Sequence, residues 1–301
     1  MLLGWLRVLY WGGACLIVGP VFAEEDPAEL FPFESQEYSQ WSAAPTLDSA
    51  GGRGLNIGLN SKFLSGTRLI AGGGYSDVRN SSANSYSWSF GLLSSAQEDF
   101  AFGVFYEGWR RNTPKETRCG RMRINCVETQ SQLRQTSVEG VRTSLTWSST
   151  HVHIGLDPVT QRIVLANDLI SQELFSVGAR ASAGVFGFNG WDMNAWAGDT
   201  TFSRSLKDFA NFYSAPGGAR TLDLRGVEFG FDAGYTWNPW HASASWSQAR
   251  LVVSGKVERV LSLAAAWTAN DSWYVYLQLG RSALADTTAL WYITPGVEFR
   301  W

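Results

Sequence analysis

The stretch that decides the fold is 294–301, TPGVEFRW. Read at every second position from Ile293, it gives Ile293, Pro295, Val297, Phe299 and Trp301, with Thr294, Gly296, Glu298 and Arg300 between them. A period of two sends the two sets to opposite faces of a β-strand. One face is apolar from end to end and the other polar, so this strand needs an oily phase on one side and water on the other. The oily phase is either a protein core or a lipid bilayer.

The same period recurs upstream. Trp273, Val275, Leu277 and Leu279 form one apolar set, and Leu261, Leu263, Ala265 and Trp267 another. Val227 to Trp237, Trp191 to Ala197, Phe175 to Val185, Val152 to Leu156, Val141 to Trp147, Phe100 to Tyr106, Tyr86 to Leu92, Leu69 to Tyr75 and Leu55 to Leu59 repeat it. About thirteen amphipathic strands and no convincing helix follow. The weaker stretches 157–166, around Pro158, and 241–253 predict bulges.

At the N-terminus Arg7 precedes an apolar run over 8–21, and VFA leads into Glu24. That layout predicts a secretory signal peptide over 1–23; the run is shorter than the roughly 20 residues of a spanning helix. Cys15, inside the run, reads as an apolar signal residue. Residues 24–34 form an acidic segment, either a lead-in or a partner contact, ahead of a barrel over 35–301. No other apolar run is long enough for a helical span, so any membrane crossing is made by strands. A net charge of −3 argues against nucleic acid as a partner. Cys119 and Cys126 stand with six residues between them in RCGRMRINC, and in an oxidising envelope that spacing predicts a loop disulfide.

The tryptophans separate a soluble sandwich from a membrane barrel. Trp147 precedes the turn SST, Trp191 follows FNG, Trp237 and Trp240 bracket NP, and Trp267 and Trp273 bracket ANDS. In an up-and-down chain all these turns fall at one end, and a ring of tryptophan at one level is what a bilayer interface selects. Connections at that end are short, whereas 111–133 and about 203–220 are long and lie opposite. Short periplasmic turns with longer outer loops are the outer-membrane arrangement.

The last eight residues resemble the terminal assembly signal of the bacterial outer-membrane β-barrels: polar Thr294, Gly296, apolar Phe299 and a final aromatic, Trp301, at the required spacing. Tryptophan replaces the commoner phenylalanine. The resemblance implies location in the bacterial outer membrane, contact with its lipid, and insertion by the barrel-assembly machinery; it implies nothing about cargo. With Trp301 at the periplasmic end, the strand over 53–64 runs downward and an upward strand must precede it. The candidate is 35–44, with Tyr38 and Trp41. The expected fold is therefore all-β, an antiparallel up-and-down transmembrane β-barrel of 14 strands, with 12 as the alternative.

Function in such a barrel resides in inward residues and loops. Inward positions read mostly as Gly, Ser, Thr and Asn, with Arg142, Arg180, Asp192, Glu228, Asp232, Glu258, Glu298 and Arg300 among them. A lining of small polar groups predicts a passive, porin-like channel for small hydrophilic solutes, with Arg142, Arg180, Glu228 and Asp232 as selectivity candidates. The alternative for these charges is pairing that merely solvates the wall. The stretch 206–212 is helix-compatible and would constrict or cover the mouth.

An outer-membrane lipid-modifying enzyme is the main rival, and a structural or secretion component without an open pore is the other. A hydrolase needs a nucleophile beside a histidine base. His151, His153 and Asp157 share one face near a periplasmic turn and His241 lies near another, the wrong end for outer-leaflet lipid, so no catalytic residue is assigned. His151 and His153 lack an evident third ligand, and no metal or cofactor is expected.

Overall fold

In the computed structural model the described residues are 39–64, 66–78, 83–97, 99–112, 117–119, 126–128, 135–166, 171–205, 224–252, 254–284 and 289–301. The expected signal peptide, the acidic segment 24–34 and the stretch 206–212 lie outside them.

The strands are β1 (Gln40–Asp48), β2 (Arg53–Leu64), β3 (Thr67–Val78), β4 (Ala83–Gln97), β5 (Phe100–Asn112), β6 (Thr117–Cys119), β7 (Cys126–Glu128), β8 (Gln135–Ser148), β9 (Val152–Ala166), β10 (Ser171–Phe188), β11 (Trp191–Phe202), β12 (Arg225–Trp237), β13 (Trp240–Leu251), β14 (Val257–Thr268), β15 (Trp273–Leu284) and β16 (Leu290–Arg300). Fourteen of them close one antiparallel barrel in chain order, with β1 against β16, while β6 and β7 form a separate hairpin between β5 and β8. Among the described residues there is no helix.

Alternation decides the two faces. Ile57, Val177 and Leu263 are 57%, 58% and 55% exposed on the outside, while Thr46, Gln278 and Asn60 are covered inside. An apolar exterior around a partly polar interior inverts the order of a soluble protein and is what a bilayer stabilises. Closure also removes the free strand edges that lipid could not hydrogen-bond.

Two expectations about strand detail change. β1 begins at Gln40 and continues past Ala44 through Pro45 to Asp48. The proline does not end it because the N–H it lacks would have pointed to β16; its pairing with Leu55 of β2 is intact. Likewise β9 passes straight through Pro158 with constant register against β10 and without a bulge. The bulge near the second weak stretch lies on the partner strand, between Arg225 and Glu228 of β12, opposite Leu251 and Ala249.

Candidate functional site in the barrel interior

The interior is layered. At the loop end Trp109 of β5, Val138 of β8, Ile163 and Leu165 of β9 and Leu174 of β10 form a buried apolar cluster, with Phe202, Leu224 and Val252 packed against it. Each follows from parity: Trp109 shares its face with Glu107 and Arg111, both buried.

Below this cluster runs a belt of alternating charge. Glu107 accepts from Nε of Arg142 at 3.2 Å, and the same guanidinium stands 3.8 Å from Asp157. Asp157 is the register partner of Arg180. Arg180 donates to Glu228 at 3.0 Å; Glu228 is 3.7 Å from Arg225, and Arg225 donates to Glu258 at 3.0 Å. Ser282 of β15 bonds the far oxygen of Glu258 at 3.5 Å. The belt crosses β11 and β13 at Gly198 and Ala249, the register partners of Glu228 on either side. Small side chains there leave room for the carboxylate: a Cβ at Gly198 would sit 3.4 Å from its Oε1.

These ions are largely covered, which would be costly for any of them alone; alternation of sign and hydrogen bonding offsets the desolvation. Aromatic rings carry part of the load. Arg142 stacks over Phe105 at 4.3 Å and Arg180 over Trp196 at 4.4 Å. The rings in turn lie on glycines: Phe105 over Gly91 and Gly103, and Trp196 over Gly230.

The turn end is polar and uncharged over much of its area. His153 bonds Asn194 at 3.1 Å, and Asn194 reaches Asp232 at 3.4 Å. Asp192 accepts from the Gly187 N–H at 2.8 Å, and His241 bonds Thr236 at 2.9 Å. His151 lies in the turn, exposed, against the Phe186 carbonyl at 3.1 Å. No cluster of His, Cys, Asp or Glu able to hold a metal is present among the described residues.

Of the four proposed selectivity residues, Arg142, Arg180 and Glu228 thus belong to the belt, and Asp232 lies nearer the turns. At the β15–β16 side, Tyr276 lies over Gly296 and Tyr292 over Gly280, Arg300 bonds Glu298 at 2.6 Å, and Thr294 bonds Thr46 at 3.0 Å. Sequence reasoning missed the inward Trp109, Phe105, Trp196, Tyr274, Tyr276 and Tyr292. Their signal was parity: each occupies the polar phase of its strand. Trp147, Trp191, Trp237, Trp240, Trp267 and Trp273 are exposed on the outside at the turn end, where Phe299 stacks with Trp301 at 6.2 Å. Cys119 and Cys126 are register partners in the β6–β7 hairpin.

The fold and the apolar exterior define a bacterial outer-membrane β-barrel, located in the outer membrane. Solved structures of like fold include the monoaromatic hydrocarbon channel CymD (TM-score 0.56, 10% identity, 94% of each chain covered). The Pseudomonas putida toluene transporter TodX is another (TM-score 0.53, 10% identity, 96% of this chain and 93% of that one). CdiB from Acinetobacter baumannii shares the fold over 88% of this chain and 60% of its own (TM-score 0.50, 9% identity). At such identity the likeness concerns the fold alone. No known family pattern matches the chain, and no curated protein sequence does.

Proposed function

We propose that the barrel is an outer-membrane channel for small molecules, and that its solutes are apolar, of about the size of a single aromatic ring. The observation that carries the reading is the apolar cluster of Trp109, Val138, Ile163, Leu165 and Leu174 inside the loop end of the barrel. A wall built for hydrophilic solutes gains nothing from inward Trp, Ile and Leu, whereas sites lined mostly by apolar side chains are what small apolar ligands bind. The two solved barrels of like fold described as a monoaromatic hydrocarbon channel and a toluene transporter agree with it. The hydrophilic-solute reading draws on the charged belt, whose paired ions offer polar groups to water.

Uptake of radiolabelled toluene by cells expressing the full chain, set beside sugar-driven swelling of vesicles holding the purified barrel, separates the two. Toluene uptake at least fivefold above cells lacking the barrel, falling severalfold in Leu165→Asn, is expected. Swelling that tracks sugar size, with toluene uptake unchanged by the barrel, would overturn the apolar reading in favour of the hydrophilic one.

A further inference from the structure

The seam where the first and last strands meet differs from its neighbours. At its turn end Ser39 and Trp301 exchange both backbone bonds, N–H to O at 3.1 and 3.0 Å. In an antiparallel ladder such reciprocal pairs recur at every second residue, so Trp41 with Phe299, Ala43 with Val297, Pro45 with Pro295 and Leu47 with Ile293 occupy the hydrogen-bonded positions. The strands pair on both sides, Ala43 with Val297 and Leu47 with Ile293, in constant register, and the pairing is interrupted between them. The cause is chemical: Pro45 and Pro295 stand opposite each other and neither has an N–H to donate.

Both prolines are placed so that only this seam is affected. Pro45 keeps its register with Leu55 of β2, and Pro295 with Leu277 of β15. Proline with its missing donor turned outward is the mark of an edge strand. β1 and β16 each carry that mark, at mid-height, toward each other.

The inward side chains of the two strands themselves are small at this point. Inward lie Ala44, Thr46, Thr294 and Gly296, all small, with the Thr46–Thr294 hydroxyl bond at 3.0 Å as the side-chain link across the gap. The ends of the seam are clasped. Trp41, Trp273 and Phe299 pack together at the turn end, with centroids 4.8 to 6.4 Å apart, and Ser49 accepts from and donates to Trp291 at the loop end. Tyr276 and Tyr292 interlock β16 with β15, and Tyr276 shares a buried cluster with Ala44 of β1, packing that opening must displace.

We infer that the β1–β16 seam is a lateral portal, parting at Pro45 and Pro295 to connect the lumen with the bilayer and pass a slender apolar molecule between them. Opening costs no ladder bond at the centre; it costs the Thr46–Thr294 bond and local packing, while the aromatic clasp and the Ser49–Trp291 bonds keep the barrel closed above and below. The outer rim at the gap, Leu47, Leu55, Leu277 and Ile293, is apolar, so the molecule leaving meets hydrocarbon.

Passage rests on the channel reading above; parting of the seam does not, and the test reads both. Thr46 and Thr294 occupy a position between reciprocal pairs, where opposite side chains come closest, so the double variant Thr46→Cys with Thr294→Cys closes the portal on oxidation. Ser245→Cys with Ser262→Cys, register partners on β13 and β14, serves as the control lock. Toluene uptake by cells expressing the full chain should fall at least fivefold in the oxidised portal variant, recover with reductant, and stay unchanged in the control; equal uptake locked and unlocked overturns the portal. Hydrogen exchange in purified barrel decides the seam independently, even where wild-type cells take up no toluene. Amides of Ala43, Leu47, Ile293 and Val297 should exchange at least tenfold faster than those of the β14–β15 seam, and slow in Pro45→Val with Pro295→Val, which restores both donors. Equal protection of the two seams overturns the inference.

Discussion

The ring of Tyr276 lies directly over Gly296 of the adjacent strand: a Cβ added to Gly296 would fall 1.9 Å from the ring Cζ. Tyr292 covers Gly280 in the reverse sense, at 1.8 Å. Each strand of the β15–β16 pair therefore supplies a ring and a vacancy, and the glycine of the terminal motif has a packing reason for being glycine. Gly296→Ala should destabilise the refolded barrel by about 1–3 kcal/mol through overpacking, seen as a lower urea midpoint. Gly73→Ala, whose Cβ would meet only a backbone oxygen at 3.6 Å, should be tolerated.

The charge belt makes a signed prediction. Glu107, Asp157, Glu228 and Glu258 alternate with Arg142, Arg180 and Arg225, leaving one carboxylate in excess. Arg180→Gln leaves a second, so ions crossing the belt should show stronger preference for cations; Glu228→Gln balances the belt and should weaken it. Reversal potentials in a salt gradient across a planar bilayer read the difference. Removing one partner of so covered a pair also costs stability. Arg180→Gln should lower the urea midpoint more than Arg162→Gln, whose partner Glu173 is exposed on the outside.

The alternation of apolar and polar residues carried the barrel and, with the chain direction fixed by Trp301, its strand number. Four features escaped it. A residue's phase within its strand places Trp109 and Leu165 inward, but a binary count of apolar residues treats them as flaws in the pattern, and the segments holding them looked too polar or irregular to extend. Pro158 read as a bulge because a missing N–H and a shifted register look alike in one strand; only the partner strand tells them apart. The facing of Pro45 and Pro295 was invisible for the same reason, since their separation along the chain is bridged only by closure. Individual charges were readable, whereas their order in the belt depends on the register of strands that are neighbours in space.

The β6–β7 hairpin sets Cys119 opposite Cys126, in a connection at the loop end of the barrel. Opposed cysteines on paired strands have their Cα atoms within the span a disulfide bridges. With Cys15 removed in the expected signal peptide, we predict that the protein isolated from the envelope without reductant has no thiol reactive to maleimide after denaturation, and that reduction exposes two. Cys119→Ser should leave one reactive thiol and a folded barrel, because the hairpin stands outside the closed sheet.

The tryptophans yield a prediction of depth. Trp147, Trp191, Trp237, Trp240, Trp267 and Trp273 all face outward beside the turns, and Trp240 stacks on Trp267 at 6.2 Å across β13 and β14. An indole has an apolar body and one N–H, so it gains most where hydrocarbon meets headgroup; six at one level would fix how deep the barrel sits. Lipids brominated at successive chain positions should therefore quench fluorescence most strongly when bromine is near the headgroup. Outward Trp88 and Trp246 at mid-strand, outward Trp291 at the loop end and inward Trp109 and Trp196 report other positions, so the quenching is read in a variant with those five replaced by Phe. Replacing Trp240 and Trp267 together by Ala should lower stability in lipid by less than the sum of the single changes, because each single change already removes the stacking and the sum counts it twice. Quenching strongest at the bilayer centre would show that these side chains do not mark an interface.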